Sequence, residues 1–166
     1  MVKPVFESSG AELSIMTTTF PGHAEELAAH LELVNYDGFL ILGGDGTFHE
    51  VVNGMLKRHD GRTLPIGLIP GGSGNSILHD LGFIDPVSAA KAIVAQQTRF
   101  IDAARIQMNQ IVRYSINLIG WGLVTDVGKR AELIRWLGPS RYTVSSIIEI
   151  LLRKNRRAKL VVDDKT

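Results

Sequence analysis

Two glycine-rich stretches, Gly43-Gly44-Asp45-Gly46-Thr47 and Pro70-Gly71-Gly72-Ser73-Gly74-Asn75, hold the residues whose types and spacing could do chemistry. Glycines accept positive φ and carry no Cβ, so backbone N–H groups and a following helix N-terminus can cradle an anion such as phosphate. Asp45 is the puzzle, because a carboxylate aimed at a phosphate site repels it unless a cation intervenes or the carboxylate has chemistry of its own. Two roles resolve this: holding a Mg²⁺ that bridges phosphates, or accepting the proton of an attacking hydroxyl. The plain alternative is a tight strand-to-helix turn whose aspartate only caps. A second glycine stretch after the next strand weighs against it. Thr47 is placed to cap the helix that follows.

Other chemistries fail on spacing. Neither stretch has the GK[ST] of a Walker loop or the G-x-G-x-x-G of a dinucleotide site. "HEVVN" opens like a zinc-protease helix, but Asn53 stands where the second histidine is needed. "GGSGN" opens like a nucleophile elbow, but Asn75 replaces its last glycine. His49 and Glu50 are expected on the helix face away from the core and His23 as a cap or packed side chain, none of them in chemistry. No metal site built from protein ligands is expected.

The elements that must position these loops alternate. "AELSIMTTT" (Ala11 to Thr19) reads as a strand, Ala24 to Val34 as a helix, and the uniformly apolar "DGFLIL" (Asp37 to Leu42) as a strand buried on both faces. Phe48, Val51, Val52, Met55 and Leu56 mark the next helix face, and "LPIGLI" (Leu64 to Ile69) the next strand. "SILHDLG" predicts a short helix closed by Gly82, and Pro86 opens another through Val94. "RFIDAARIQ" and "IVRYSINLIG" predict a hairpin turning at Asn109. Helices are expected over Val124 to Leu137 and Tyr142 to Leu152, with a strand starting at "AKLVVDD". The fold class is α/β, a parallel-rich sheet flanked by helices.

Composition narrows the partners. In 166 residues, 18 Lys+Arg balance 17 Asp+Glu for a net charge of +1, so no global field argues for nucleic acid. The absence of cysteine excludes disulfides and thiolate metal sites and suits a reducing, cytoplasmic setting. No secretory h-region or run long enough to span a bilayer occurs.

The paired motifs "GGDGT" and "PGGSGN" resemble the catalytic domain of the diacylglycerol kinase and sphingosine kinase family; the first alone is shared with NAD kinases. "TTTFPGHAEELA", "GWGLVTDVG" and "IRWLGPSRYTV" extend the resemblance over nearly the whole chain. It implies an ATP- and Mg²⁺-dependent lipid kinase, with Asp45 catalytic. Thr18, Gly43, Gly44, Gly46, Thr47, Gly72, Ser73, Gly74, Asn75, Arg135 and Arg141 would contact the nucleotide, and Asp126 the lipid head group. The residues themselves leave Asp126 equally open as a helix N-cap. The serine of "GGSGNS" and the "WG…DV" block look like sphingosine kinases, while the threonine of "GGDGT" is common in glycerolipid kinases. The balance is toward a long-chain base. The remaining readings are an NAD kinase-like phosphotransferase and a catalytically silent nucleotide- or lipid-binding module.

The resemblance also implies missing pieces. The expected organisation is a catalytic domain over 1–157 without its first strand, and over 158–166 the first strand of an absent β-sandwich domain. Peripheral membrane contact is one reading of the basic run "RKNRRAK" after "IIEILL", and of Trp136 as a wedge. The other is a buried helix with a solvated basic end and a core tryptophan.

Overall fold

The computed structural model describes residues 2–72, 74–152, 155–157, 159 and 161. Two units divide the chain, Met1–Asn117 and Leu118–Thr166.

The first unit is organised on two parallel strands, β1 (Phe39–Gly43) and β2 (Ile66–Pro70), in the register Phe39↔Ile66 through Gly43↔Pro70. Side chains alternate across a strand, so the sheet has two faces to bury. On one face Ile41 and Leu68 pack with Ala24, Ala28, Leu33, Phe48, Val51, Val52, Met55 and Leu78. On the other, Ile69 packs with Phe6 and Ala90. Burial on both sides explains why the strands read as continuous apolar runs.

The helices supplying these faces are α1 (Lys3–Ser8), α2 (His23–His30), α3 (Asp45–Leu56), α4 (Ser76–Leu81) and α5 (Pro86–Val94). Pro86 and the Asp85 cap, whose carboxylate accepts the Ser88 N–H at 2.7 Å, start α5. Gly82, at φ 78°, closes α4. The hairpin of β3 (Ala104–Met108) and β4 (Ile111–Ser115) turns through Asn109 at φ 55°.

Helix α3 is where the unit is tied together. A Cβ on Gly54 would come within 2.3 Å of the Glu25 carbonyl oxygen, so only glycine lets α2 cross so closely. Asn53, fully buried, accepts the Tyr114 N–H at 2.9 Å and donates to the Tyr114 carbonyl at 2.8 Å, clasping β4 as a strand would. Arg58, just past α3, donates to the carbonyls of Ala28 and Leu31, both at 2.9 Å, closing the C-terminal end of α2. That cap ends α2 at His30, short of the expected Val34, and the chain turns extended at Leu31.

In the second unit α6 (Leu123–Leu133) and α7 (Ser140–Leu152) pack together, joined by a 3-10 turn at Arg135–Leu137. The Arg130 Nε donates to the buried Glu149 at 2.8 Å.

Several expectations are corrected. No strand forms over 11–19: the segment makes no ladder with β1, and Leu13 to Thr18 instead line, with Phe39 to Leu42, a cleft of about 580 Å³. The helix α1 precedes the segment, where the resemblance puts the helix after the family's first strand. The single helix over Val124 to Leu137 is broken at Ile134. Trp136 is 80% exposed, and Ile147, Ile150 and Leu151 on α7 also face solvent, so neither a core tryptophan nor a buried "IIEILL" is present. The strand expected from Ala158 falls mostly on residues outside those described.

Candidate active site

Parallel pairing brings the ends of β1 and β2 side by side, and with them the two glycine loops. The Gly71 N–H donates to the Gly43 carbonyl at 2.9 Å, extending the ladder one step past the strands. Beyond it the loops touch: a Cβ on Gly72 would lie 2.5 Å from the Gly44 Cα, and one on Gly44 would lie 3.0 Å from the Gly72 Cα. A side chain at 72 would force the loops apart, and one at 44 would need the facing backbone to give by a few tenths of an ångström. Asn75, left-handed at φ 52°, closes the second loop by accepting the Gly72 N–H at 3.1 Å and donating to the Gly72 carbonyl at 2.8 Å.

Asp45 lies at this junction as the first residue of α3. Its Oδ2 accepts the Ser76 N–H at 3.0 Å and the Ser76 hydroxyl at 3.2 Å, and its Oδ1 accepts the Ile77 N–H at 3.4 Å. The aspartate does cap a helix, but α4 across the loops rather than the one it begins. A Cβ on Gly74 would lie 3.0 Å from Asp45 Oδ2, so this glycine too makes room for the carboxylate.

Thr47 does not cap α3. The N-cap is Gly44, and Thr47 sits inside the first turn, its Oγ1 3.0 Å from where a Gly43 Cβ would be. With no side-chain cap from Gly44, the first-turn N–H groups are the ones a helix leaves without intrahelical partners. Gly46, in that turn, is exposed, and a Cβ there would meet nothing within 4 Å among the described residues. Glycine at 43, 44, 72 and 74 is explained by protein atoms; at 46 it is not.

Thr18 and Thr47 line the same cleft beside β1. The residues after Thr18 form a closed turn: the Thr19 N–H donates to His23 Nδ1 at 3.1 Å, and Phe20 stacks on the His23 ring with centroids 4.6 Å apart. His23 is a packed cap, as expected. Ser73 lies outside the described residues.

Asp126, Arg135 and Arg141 belong to the second unit. Asp126 is in the first turn of α6, whose N-cap is Gly122, and its Oδ2 pairs with Arg156 Nη2 at 2.6 Å. Arg135 is exposed, 3.5 Å from Glu132. Arg141 lies over the Tyr142 ring and donates from Nη2 to the Tyr142 hydroxyl at 3.0 Å. Its Nε is buried and has no hydrogen-bond partner among the described residues.

Sequence reasoning did not find Ser76, Ile77, Glu50 or Asn53. The Glu50 carboxylate is half-buried rather than turned to solvent: its oxygens accept the Gly22 N–H at 3.0 Å and the Ala24 N–H at 3.2 Å. The only local signal was the run "HEVVNG" itself.

Strand ends meeting in paired glycine loops, with a carboxylate at their junction, define an α/β domain of the class whose ligands lie beyond the carboxyl ends of a parallel sheet. The chain belongs to the Diacylglycerol kinase catalytic domain family, which matches residues 1–106. It is 34% identical over 170 residues to sphingosine kinase 1 of Arabidopsis thaliana, covering 96% of this chain and 35% of that protein. It is 34% identical over 159 residues to sphingoid long-chain bases kinase 1 of the same plant, covering 91% and 21%. Human ceramide kinase is 30% identical over 163 residues, covering 88% and 30%. The chain thus spans about a third or less of each of these relatives.

Proposed function

We propose that the chain is the nucleotide-binding part of an ATP-dependent lipid kinase that transfers the γ-phosphoryl group to the primary hydroxyl of a sphingoid base, with diacylglycerol as the second substrate class. The observation carrying this reading is the junction of the glycine loops, where the Asp45 carboxylate sits beside Gly46, the one glycine of "GGDGT" whose missing side chain no atom of the described residues accounts for. The names of the two plant relatives support the sphingoid choice, and that of ceramide kinase points to a neighbouring sphingolipid.

The residues fit the phosphates of ATP. Gly43, Gly44, Gly46, Thr47, Gly72, Ser73, Gly74 and Asn75 supply backbone amides and small side chains, and Thr18 borders the same cleft. By the resemblance, Arg135 and Arg141 would add guanidinium charge, whose planar fork pairs with phosphate oxygens. Asp126 would hold the lipid's amine or hydroxyl in exchange for Arg156. Among the described residues no group of three His, Cys, Asp or Glu side chains could hold a metal alone. Mg²⁺ would therefore rest chiefly on phosphate and water with Asp45 nearby, and its chemistry when bound is to neutralise charge on the phosphates. Asp45 orients the lipid hydroxyl and accepts its proton as the hydroxyl oxygen bonds to the γ-phosphorus and the bond to ADP breaks.

Residues 1–157 form the catalytic part in this reading, and 158–166 begin the next domain. The protein works in the cytoplasm and touches membranes peripherally. Exposed Trp136, Ile147, Ile150 and Leu151, with Arg156, Arg157 and Lys159, supply apolar area and positive charge for an anionic leaflet. Among the described residues no helix is long and apolar enough to cross a membrane.

The test is transfer of labelled phosphate from Mg·ATP to sphingosine, diacylglycerol, ceramide and NAD, using the chain alone and joined to any sequence flanking it in its gene. Label on sphingosine that is lost in Asp45→Asn is expected. Because Asp45 already has a structural task at Ser76, a silent nucleotide-binding module is the second reading. Mg·ATP binding without transfer to any acceptor would favour it.

A further inference from the structure

The cleft beside β1 receives Thr18 from the segment before α2 and Thr47 from the first turn of α3. The crossing at Gly54 sets the body of α2 against α3, but among the described residues no backbone hydrogen bond holds the segment before α2 to the first turns of α3. A side chain makes that tie: the Glu50 carboxylate takes the N–H groups of Gly22 and Ala24, one on each oxygen, at 3.0 and 3.2 Å.

Gly22 is the N-cap of α2, left-handed at φ 93° and without a side chain to cap with, and Ala24 is the second residue of the helix. Glu50 supplies the missing cap from the neighbouring helix, 28 residues further along the chain. The turn ahead of α2 is itself closed, by Thr19 and Phe20 on His23 and by the His23 N–H on the Phe20 carbonyl at 3.2 Å. Residues 19–24 therefore form one piece. Glu50 fastens that piece to α3 a turn and a half from Asp45.

We infer that Glu50 is a positioning residue for nucleotide binding: by holding Gly22 and Ala24 it sets the Thr18 segment against the first turn of α3, and it touches neither substrate nor nucleotide itself. The inference rests on the proposed nucleotide site and adds to it the part that holds its two sides in register. A role of this kind acts on ground state and transition state alike, so its loss raises KM for ATP while kcat stays near the wild-type value.

The experiment compares Glu50→Gln, Glu50→Ala and Arg58→Ala. Arg58 caps the far end of the same helix, so its removal loosens α2 without releasing the Thr18 side. The readouts are Mg·ATP binding by calorimetry, KM and kcat for ATP, the melting temperature, and hydrogen exchange at Gly22 and Ala24. Expected is an ATP affinity about tenfold weaker in Glu50→Ala, intermediate in Glu50→Gln, which keeps one acceptor oxygen, and near wild type in Arg58→Ala at a similar melting temperature. Faster exchange at Gly22 and Ala24 should accompany the loss. Equal effects in Glu50→Ala and Arg58→Ala, or faster exchange with unchanged ATP affinity, would overturn the inference. Failure of the wild-type chain to bind Mg·ATP would overturn the proposed function instead, and this inference with it.

Discussion

The carboxylate of Asp45, at the start of α3, accepts the backbone N–H of Ser76, at the start of α4, at 3.0 Å. One side chain thereby joins the helices that follow the two glycine loops. The proposed chemistry and the cap can be separated by substitution. Asn keeps an oxygen for the Ser76 N–H but cannot take a proton, so Asp45→Asn should abolish phosphoryl transfer while costing less than about 1 kcal/mol of stability; Asp45→Ala should lose activity and about 1 kcal/mol or more. Equal melting-temperature losses in the two variants would speak against this division.

Gly46 and Gly54 lie on the same helix and should answer alanine with opposite signs. Nothing surrounds a Cβ at 46, so Gly46→Ala should leave the fold unharmed or gain about 0.5–1 kcal/mol. Mg·ATP binding should nevertheless weaken, because the open space belongs to the ligand in the proposed reading. At 54 the new Cβ meets the Glu25 carbonyl, and overpacking should cost about 1–3 kcal/mol. Denaturant midpoints and ATP titration of both variants check the pair.

Asn53→Leu should be severe for its size. The change strands the Tyr114 N–H and carbonyl, which Asn53 now satisfies, each worth about 1–3 kcal/mol when buried without a partner. Urea unfolding would read the loss, and a cost under about 1 kcal/mol would mean that β4 finds another partner.

Glu25 gives the fold an acid-sensitive point. Burial pushes its carboxyl up, but hydrogen bonds and charge from Lys57 and Arg113 outweigh this and leave it below its ordinary value of 4.5. Lys57 Nζ lies 2.6 Å and Arg113 Nη1 2.7 Å from the carboxylate. A group with a depressed folded-state value binds its proton more readily in the unfolded chain, so its stabilisation is complete above 4.5 and fades as pH falls below it. Glu25→Gln should flatten the stability profile in that acid range, measured by thermal melts across pH, and leave its shape near neutrality unchanged.

Arg141→Ala tests the guanidinium assigned to phosphate. Loss of one such donor typically costs about 2.7–4 kcal/mol in the barrier. Wild-type kcat/KM in this variant would remove Arg141 from the site.

The elements with local punctuation were legible in the sequence. Pro86 and Gly82 mark the ends of α5 and α4, and the uniform apolar runs of β1 and β2 announce strands covered on both faces. The glycine loops were legible too, because their need for bare backbone is written in residue type. What escaped was everything whose partner is distant in the chain. Glu50 and Asn53 look like polar surface on a helical wheel, and only folding brings Gly22 and Tyr114 to them, from 28 and 61 residues away. The segment over 11–19 has the composition of a strand, yet a strand exists only where a ladder partner is taken up, and this segment pairs with none of the described strands. Arg135, Arg141 and Asp126 depended on resemblance, since nothing in their local spacing distinguishes them from surface charge.

Helix α3 and the two residues after it fasten α4 through Asp45, the start of α2 through Glu50, β4 through Asn53, and the rest of α2 through Lys57 and Arg58. No neighbour can let go of it without exposing a buried polar group or an apolar face. The amides of Val51 to Met55 should therefore exchange with deuterium only when the whole unit opens, while those of α1 exchange through local fraying. The helix that begins with the proposed catalytic carboxylate should then also be the last of its unit to melt, with the stretch Asp45 to Arg58 setting the cooperative unfolding of residues 1–117.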